Sequence, residues 1–142
     1  LQFGESLTRP MMAGYDFSFS GLKTGMRRIV ESRPDMTTDE KVALAREFKD
    51  TVTDVLVEKT IRAVEEFGAL SVVVGGGVSA NENIRKVLKE RLDAIGGVQL
   101  LIPPPALATD NALMIALAGY FRAQRGEYIE AADLGAHGNL KI

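Results

Sequence analysis

The strongest chemical signal in this sequence is a run of three glycines at 75–77, which follows three valines at 72–74. Valine suits a buried strand, and glycine lets the backbone turn sharply and come close to a flat or anionic ligand. Asn81 and Arg85 come next, near the start of a predicted helix, where free backbone N–H groups and the positive dipole end favour anions. This order of strand, glycine turn and helix indicates a nucleotide site, although the same pattern also serves simple packing.

A second candidate is Asp110, which lies in a Thr-Asp-Asn sequence after three prolines at 103–105. A carboxylate beyond the carboxyl end of a strand can bind a hard or borderline metal ion. The simpler interpretation makes Asp110 a helix N-cap, because its side-chain oxygen can accept a hydrogen bond from the first turn. One carboxylate is not a metal site, and His137, the single histidine, has no His or Cys partner at metal-binding spacing. We expect His137 to lie in a surface turn.

Two familiar catalytic patterns find no support. Residues 75–80 fit the dinucleotide fingerprint of a Rossmann fold, but the next predicted strand, 98–102, lacks the acidic residue that this fold needs. Ser18 and Ser20 have no histidine placed as a base, so a serine hydrolase triad is not indicated.

The elements that must position these residues alternate between strands and helices. They are predicted as a strand at 16–20, a short helix at 22–33, a long helix at about 38–67, a strand at 70–74, a helix at about 81–94, a strand at 98–102 and a helix at about 110–124. Thr37 and Glu40 fit a capping box before the long helix, and Gly68 ends it. The β-α-β unit over 70–102 predicts parallel strands, and three strands are few for a complete α/β sheet.

The composition fits one soluble globular domain of 142 residues, 46% hydrophobic and 25% charged. The net charge of -2 is not that of a domain that holds nucleic acid by itself. Lys23, Arg27 and Arg28 share a helical face that could meet phosphate or RNA, although such faces are more often simply solvated. With no cysteine, no long apolar run and no signal peptide, we expect a cytoplasmic protein without a membrane anchor. A first residue of Leu1 suggests a fragment or processed product.

Three blocks then occur in a distinctive order: DFSFSGLKT at 16–24, VVVGGGVSANENIR at 72–85 and TDNALMIALAG at 109–119. Together they resemble the carboxyl-terminal half of the tRNA N6-adenosine threonylcarbamoyltransferase (TsaD) family, once called O-sialoglycoprotein endopeptidases or glycoproteases. The resemblance covers nearly the whole chain. It implies the actin-like ATPase fold (ASKHA, ribonuclease H-like), with two α/β lobes around a nucleotide cleft. Residues 1–142 are then an incomplete carboxyl-terminal lobe, with 1–15 as a leading loop and the first lobe absent.

The resemblance also implies a reaction and a set of ligands. The family moves a threonylcarbamoyl group from threonylcarbamoyl-AMP to the N6 atom of a tRNA adenosine. Its motifs place Gly76 and Gly77 against the nucleotide (threonylcarbamoyl-AMP, ATP or ADP) and Asn81 on the adenylate side. Asp110 falls on the third protein ligand of an iron or zinc ion, whose two histidines come from an HxxxH motif in the first lobe. Asn81 would offer a donor and an acceptor, and catalysis would need positioning and electrostatics with no protein nucleophile.

Departures from the family pattern limit what this chain can do alone. It has no HxxxH motif, and Ala108 stands where many members have a cysteine, so any role of that thiol is lost. We therefore expect the isolated chain to be inactive. Activity should need the full-length protein with tRNA and, in the bacterial system, an inactive paralogue and a small ATPase; a homodimer is another option for assembly.

Two alternative functions stay open. The older name implies a metalloprotease, but a water-activating motif such as HExxH is not present in this sequence. A non-catalytic nucleotide-binding or dimerisation paralogue is the other, and it would have no need for Asp110 as a metal ligand. The transferase assignment requires the glycine turn and Asp110 to line one crevice.

Overall fold

The computed structural model describes residue 7 and residues 13–135. Within this part the elements are α1 (Ser20–Ser32), α2 (Thr38–Phe67), β1 (Ser71–Val73), α3 (Glu82–Ile95), β2 (Gln99–Leu101), α4 (Pro105–Ala108) and α5 (Ala112–Gln124), with 3₁₀ turns at Gly77–Ala80 and Ala131–Asp133. The chain divides into two compact units, Leu1–Ala108 and Thr109–Ile142, which we call the first and the second unit. His137 and most of the predicted loop over 1–15 lie outside the described residues.

The sheet of the first unit confirms the predicted β-α-β unit. Strands β1 and β2 pair in parallel, with Val72 opposite Leu100, and α3 forms the crossover between them. The Val74 N–H extends the ladder by donating to the Leu101 carbonyl at 2.9 Å. Because the strands are parallel, their carboxyl ends and the loops that follow them emerge at the same edge of the sheet. The glycine turn and the proline segment therefore start side by side.

The strand predicted at 16–20 is wrong, because these residues form irregular backbone that runs into α1. A strand needs a neighbour for its backbone groups, and here the Asp16 carbonyl instead accepts a hydrogen bond from the buried Lys59 side chain. Within this segment the rings of Phe17 and Phe19 stack on each other with their centroids 6.2 Å apart.

Helix α2 runs for 30 residues as a single element, which confirms the predicted long helix at about 38–67. The capping box at its start is confirmed: the Glu40 N–H donates to Thr37 Oγ1 at 3.3 Å, and the Thr37 N–H donates to Glu40 Oε2 at 2.9 Å. Gly68 ends the helix with a φ of 61°, in the left-handed region that glycine adopts most easily. Thr53 stays inside the helix because its hydroxyl donates to the Lys49 carbonyl at 2.9 Å.

The buried side chains of the first unit form two hydrophobic clusters, and α2 contributes to both. The α1 cluster comprises Leu7, Leu22, Ile29, Met36 and Leu44. The sheet cluster comprises Val57, Ile61, Val64, Leu88 and Leu92, packed against the inner sheet residues Val72, Val74, Val98 and Leu100. Helix α2 is thus the scaffold that holds α1 at one end and the β-α-β unit at the other.

In the second unit, α5 starts at Ala112 and contains no buried residue. Its large apolar side chains are exposed, among them Leu113, Ile115 and Phe121. None of the helices in residues 13–135 combines the length and apolar character needed to cross a membrane.

Candidate functional site

The glycine turn at 75–77 has a bare surface. Gly76 has a φ of 80° and a ψ of 168°, a conformation that residues with a side chain rarely adopt. Gly75 and Gly77 have no such conformational need, and a Cβ built on either would meet no atom within 4 Å. Packing within the described residues therefore does not require glycine at 75 or 77. Their missing side chains leave open space in which a ligand can approach the backbone.

Asn81 is the N-cap of α3 and uses one half of its amide to cap the helix. Its Oδ1 accepts hydrogen bonds from the N–H groups of Asn83 at 3.0 Å and Ile84 at 3.2 Å. These two bonds occupy both lone pairs of the oxygen, so the side-chain NH₂ is the part that can still bind a ligand. The expectation that Asn81 offers an acceptor as well as a donor is corrected accordingly.

Two donors of the Arg85 guanidinium bind backbone carbonyls of the first unit. Its Nε donates to the Ser79 carbonyl and its Nη2 donates to the Pro103 carbonyl, each at 2.5 Å. In the sequence, Arg85 is notable for its position near a predicted helix start, where backbone N–H groups and the helix dipole favour anions. The structure instead uses its charge to join two backbone segments.

A cavity of about 210 Å³ lies behind the glycine turn, within the first unit. Its walls are mainly aliphatic and come from α2, the two residues that follow β1, the 3₁₀ turn and α3: Leu56, Val57, Thr60, Val74, Gly75, Val78, Ser79, Ile84 and Leu88. Ser79 is 2% exposed, and its hydroxyl has no hydrogen-bond partner among the described residues. A buried polar atom left without a partner costs stability. Ser79 thus differs from Thr60, the other hydroxyl residue of the wall, which donates to the Leu56 carbonyl at 2.8 Å.

Asp110 lies at an exposed bend in the second unit and does not cap α5. The cap is Asn111, whose side chain accepts from the Met114 N–H at 3.0 Å and donates to the Thr109 carbonyl at 2.8 Å. The simpler interpretation of Asp110 as the N-cap is therefore wrong. Its carboxylate stays accessible for a ligand.

The residues that the structure describes do not form a metal site by themselves, because no three His, Cys, Asp or Glu side chains cluster among them. Asp110 can supply one oxygen ligand, and any other ligands must come from elsewhere. The glycine turn belongs to the first unit and Asp110 to the second. That both line one crevice stays a prediction.

Comparison with known proteins identifies the family. Residues 2–117 match the model of the TsaD family, described as tRNA N6-adenosine threonylcarbamoyltransferase. The proteins of that name from Gemmatimonas aurantiaca and Thermomicrobium roseum are 43% and 42% identical to this chain, each over 90% of it. The one from Thermotoga neapolitana is 38% identical over 96% of the chain. This chain belongs to the tRNA N6-adenosine threonylcarbamoyltransferase family.

The threonylcarbamoyltransferase match confirms the resemblance predicted from the three sequence blocks. It spans every predicted site residue, since Gly76, Gly77, Asn81 and Asp110 all lie within 2–117. The relatives are longer: the chain covers 36%, 39% and 41% of the three proteins named above.

A family named for a tRNA substrate draws attention to the basic residues of α1. Lys23, Arg27 and Arg28 are all exposed, and Arg27 forms an ion pair with Glu31, one turn further along the helix, at 2.7 Å. Exposed pairs of this kind are largely screened by solvent. These residues are accessible to solvent, and the choice between a solvated face and one that contacts phosphate or RNA stays a prediction.

Proposed function

We propose that this chain is the carboxyl-terminal lobe of a full-length tRNA N6-adenosine threonylcarbamoyltransferase with the actin-like ATPase fold. Family membership supports the enzyme class, and the parallel β-α-β unit over Ser71–Leu101 is of the kind from which α/β lobes are built. The share of the relatives' length that the chain covers fits one lobe of a two-lobe enzyme.

In the proposed reaction, the N6 amine of a tRNA adenosine attacks the carbamoyl carbon of threonylcarbamoyl-AMP. A C–N bond forms, the bond from that carbon to the phosphate oxygen breaks, and AMP leaves with the electron pair while N6 loses a proton. The protein contributes by holding the two reactants in place and by stabilising charge, and it needs no covalent intermediate.

The observation that carries the proposal is the bare glycine turn beside a helix N-cap. Gly76 and Gly77 present backbone without side chains, so a flat purine or a ribose can lie against them. The side-chain oxygen of Asn81 caps α3 and is not available to the ligand. Its NH₂ group can donate a hydrogen bond to an adenine nitrogen or a ribose oxygen. The nucleotide in this position is threonylcarbamoyl-AMP, or ATP or ADP in other states.

Asp110 is proposed as one carboxylate ligand of an iron or zinc ion that two histidines of the first lobe complete. A bound ion of this kind supplies a Lewis acid that polarises a carbonyl or phosphate oxygen. The exposed carboxylate, free of a capping role, supports the assignment. The described residues do not build the site alone, so its other ligands would have to come from the first lobe.

The proposal includes the partners that such an enzyme needs. They are tRNA as the acceptor, an inactive paralogue and a small ATPase, with a homodimer as an option, and the place of action is the cytoplasm. The 142-residue chain alone is expected to be inactive, because the first lobe supplies half of the cleft.

The test is modification of unmodified tRNA by the full-length protein with its metal, its partner proteins and threonylcarbamoyl-AMP. After digestion to nucleosides, mass spectrometry should detect threonylcarbamoyl-adenosine, and a sialoglycoprotein incubated in parallel should stay intact. Cleavage of the glycoprotein without tRNA modification would establish the protease alternative. Nucleotide binding with neither activity would establish a non-catalytic paralogue.

A further inference from the structure

We infer that Arg85 is a positioning residue. Its side chain locks the glycine turn to the proline segment at 103–105, so that the surface proposed to bind the nucleotide keeps one shape. The inference rests on the proposed function for its meaning in catalysis, but the lock itself is a feature of the first unit alone. The Nε–H of Arg85 donates a hydrogen bond to the Ser79 carbonyl, and its Nη2 donates one to the Pro103 carbonyl. The first carbonyl belongs to the turn after β1, and the second belongs to the segment after β2.

The geometry suits arginine and no other cation. Nε and Nη2 lie on one edge of a planar guanidinium, so a single rigid group can donate to two carbonyls that face the same way. Lysine carries one ammonium on a flexible stem and cannot hold two segments at a fixed spacing. Arg85 itself is anchored by α3, which packs against the sheet cluster through Leu88 and Leu92.

Although α4 and α3 pack against the 3₁₀ turn Gly77–Ala80, the backbone hydrogen bonds that the structure describes for this turn do not reach β2 or the proline segment. Its own hydrogen bonds are local, from the Ser79 N–H to Gly76 O at 2.9 Å and from the Asn81 N–H to Val78 O at 3.0 Å. The Ser79 hydroxyl has no partner among the described residues, and the glycines have no side chains to pack. The bond from Arg85 therefore supplies a tie that the turn cannot supply for itself.

The proline segment is likewise held by a hydrogen bond from Arg85. It leads into α4, which packs against the 3₁₀ turn Gly77–Ala80 and buries Ala108 to 4% exposure. The Leu107 N–H donates at 2.9 Å to the carbonyl of Pro104, the residue that precedes this short helix. The hydrogen bonds of Arg85 and the packing of α4 on the 3₁₀ turn thus hold the proline segment to the glycine turn at two places.

The first experiment measures hydrogen exchange in the 142-residue chain for Arg85→Lys and Arg85→Gln. The matched control is Arg91→Gln, which changes an exposed arginine further along α3. Both Arg85 variants should speed exchange of the Ser79, Asn81 and Leu107 amides by about tenfold, the factor expected from losing charge-assisted hydrogen bonds. Exchange in the middle of α2 and in the Arg91→Gln chain should not change. Equal protection of the turn in Arg85→Lys and the parent chain would overturn the inference.

The second experiment measures steady-state kinetics of the same variants in the full-length transferase, at a temperature where each stays folded. A positioning role predicts a KM for threonylcarbamoyl-AMP raised about tenfold in both Arg85→Lys and Arg85→Gln. A direct phosphate contact predicts that lysine restores the KM while glutamine does not, and that result refutes the lock. Unchanged kinetics in both variants, with only a lower melting temperature, also refutes it.

The two proposals fail separately. Absence of tRNA modification by the parent enzyme counts against the proposed function, while the exchange measurement still decides whether Arg85 locks the turn. Modification by the parent enzyme with unchanged exchange and KM in the Arg85 variants refutes only the lock.

Discussion

The glycines at 76 and 77 are adjacent but answer different physical needs. Gly76 has a φ of 80°, which a side chain makes costly, whereas Gly77 begins a 3₁₀ turn with ordinary backbone and open space where a Cβ would lie. The sequence alone could not distinguish the roles of these two residues, because positions 75–77 are all glycine. The difference appears only once the backbone angles are known.

A pair of alanine substitutions uses this difference. Gly76→Ala should lower the free energy of unfolding by about 1–3 kcal/mol, because it forces alanine into a strained conformation. Gly77→Ala should change stability by less than about 1 kcal/mol, since it fits the free protein. In the full-length protein it should nevertheless weaken nucleotide binding by about tenfold, because its methyl group occupies the ligand's approach. Urea denaturation and calorimetric titration measure the two effects, and unchanged affinity in Gly77→Ala would contradict the bare-turn argument.

Ser79 invites the opposite kind of substitution, one that improves stability. Its hydroxyl is buried without a partner among the described residues, a state that costs about 1–3 kcal/mol. Ser79→Ala should therefore raise the free energy of unfolding, by about 1 kcal/mol after allowance for lost packing. The exposed Ser71→Ala serves as the control in the same urea titration. A clear loss of stability in Ser79→Ala would mean that the hydroxyl is bonded after all.

At the scale of elements, the local patterns in the sequence predicted more than the distant contacts. The capping box of Thr37 and Glu40 and the glycine that ends α2 depend on neighbours within a few residues, and both are confirmed. The strand at 16–20 failed because Lys59, 43 residues away, supplies the hydrogen bond that a strand partner would have supplied. A hydrogen-bond partner so far along the chain cannot be predicted from the local spacing of residues.

The α2 cap makes stability depend on pH in a definite direction. Hydrogen bonds from the Thr37 backbone and side chain, helped by Arg33, lower the pKa of Glu40 from its ordinary value of 4.5. A lowered folded-state pKa adds stability above the unfolded-state pKa and loses it as pH falls through the folded-state value. The stability advantage of the parent chain over Glu40→Gln should therefore be full at neutral pH and shrink below about pH 4.5. Denaturant midpoints measured from pH 7 to pH 3 check this, and a constant difference would contradict it.

The carboxyl-terminal half of α2 also anchors the segment that precedes α1. Lys59 donates to the Asp16 carbonyl and lies over the Phe17 ring, 5.3 Å from its centroid. One turn on, Arg62 donates to the Gly14 carbonyl and lies over the Tyr15 ring at 4.8 Å. The DFSFSGLKT block is thus held at its start by a helix far along the chain.

Removing the ammonium of Lys59 tests this anchor. Lys59→Met keeps the aliphatic stem but leaves the Asp16 carbonyl without its donor, so the free energy of unfolding should fall by about 1–3 kcal/mol. Lys49→Met, at an exposed position of the same helix, should stay within about 0.5 kcal/mol of the parent chain. Similar losses in the two variants, measured by urea denaturation, would show that the Lys59 contacts add nothing specific.

At the scale of the whole molecule, the chain presents its two predicted site segments in separate units. The TDN sequence predicted the right region for a helix start but the wrong capping residue, because Asp and Asn are almost equally good caps. Only the coordinates show that Asn111 caps α5 and that Asp110 is left accessible.

Metal analysis of the full-length protein addresses Asp110 directly. Asp110→Ala should lose most of its iron or zinc and its tRNA modification while its circular dichroism stays the same, because the residue is exposed and makes no structural cap. Asp133→Ala removes another exposed carboxylate from the second unit and should keep the metal. Unchanged metal content in Asp110→Ala would remove this residue from the site.

The continuity of α2 has a consequence for how the first unit melts. One uninterrupted helix passes through both hydrophobic clusters, so neither cluster can lose its order without fraying the helix that supports the other. Heat should therefore unfold the unit in a single cooperative transition. If the glycine turn binds a nucleotide as proposed, the ligand should raise that one melting temperature, and a spectroscopic probe on the distant helix α1 should report its occupancy.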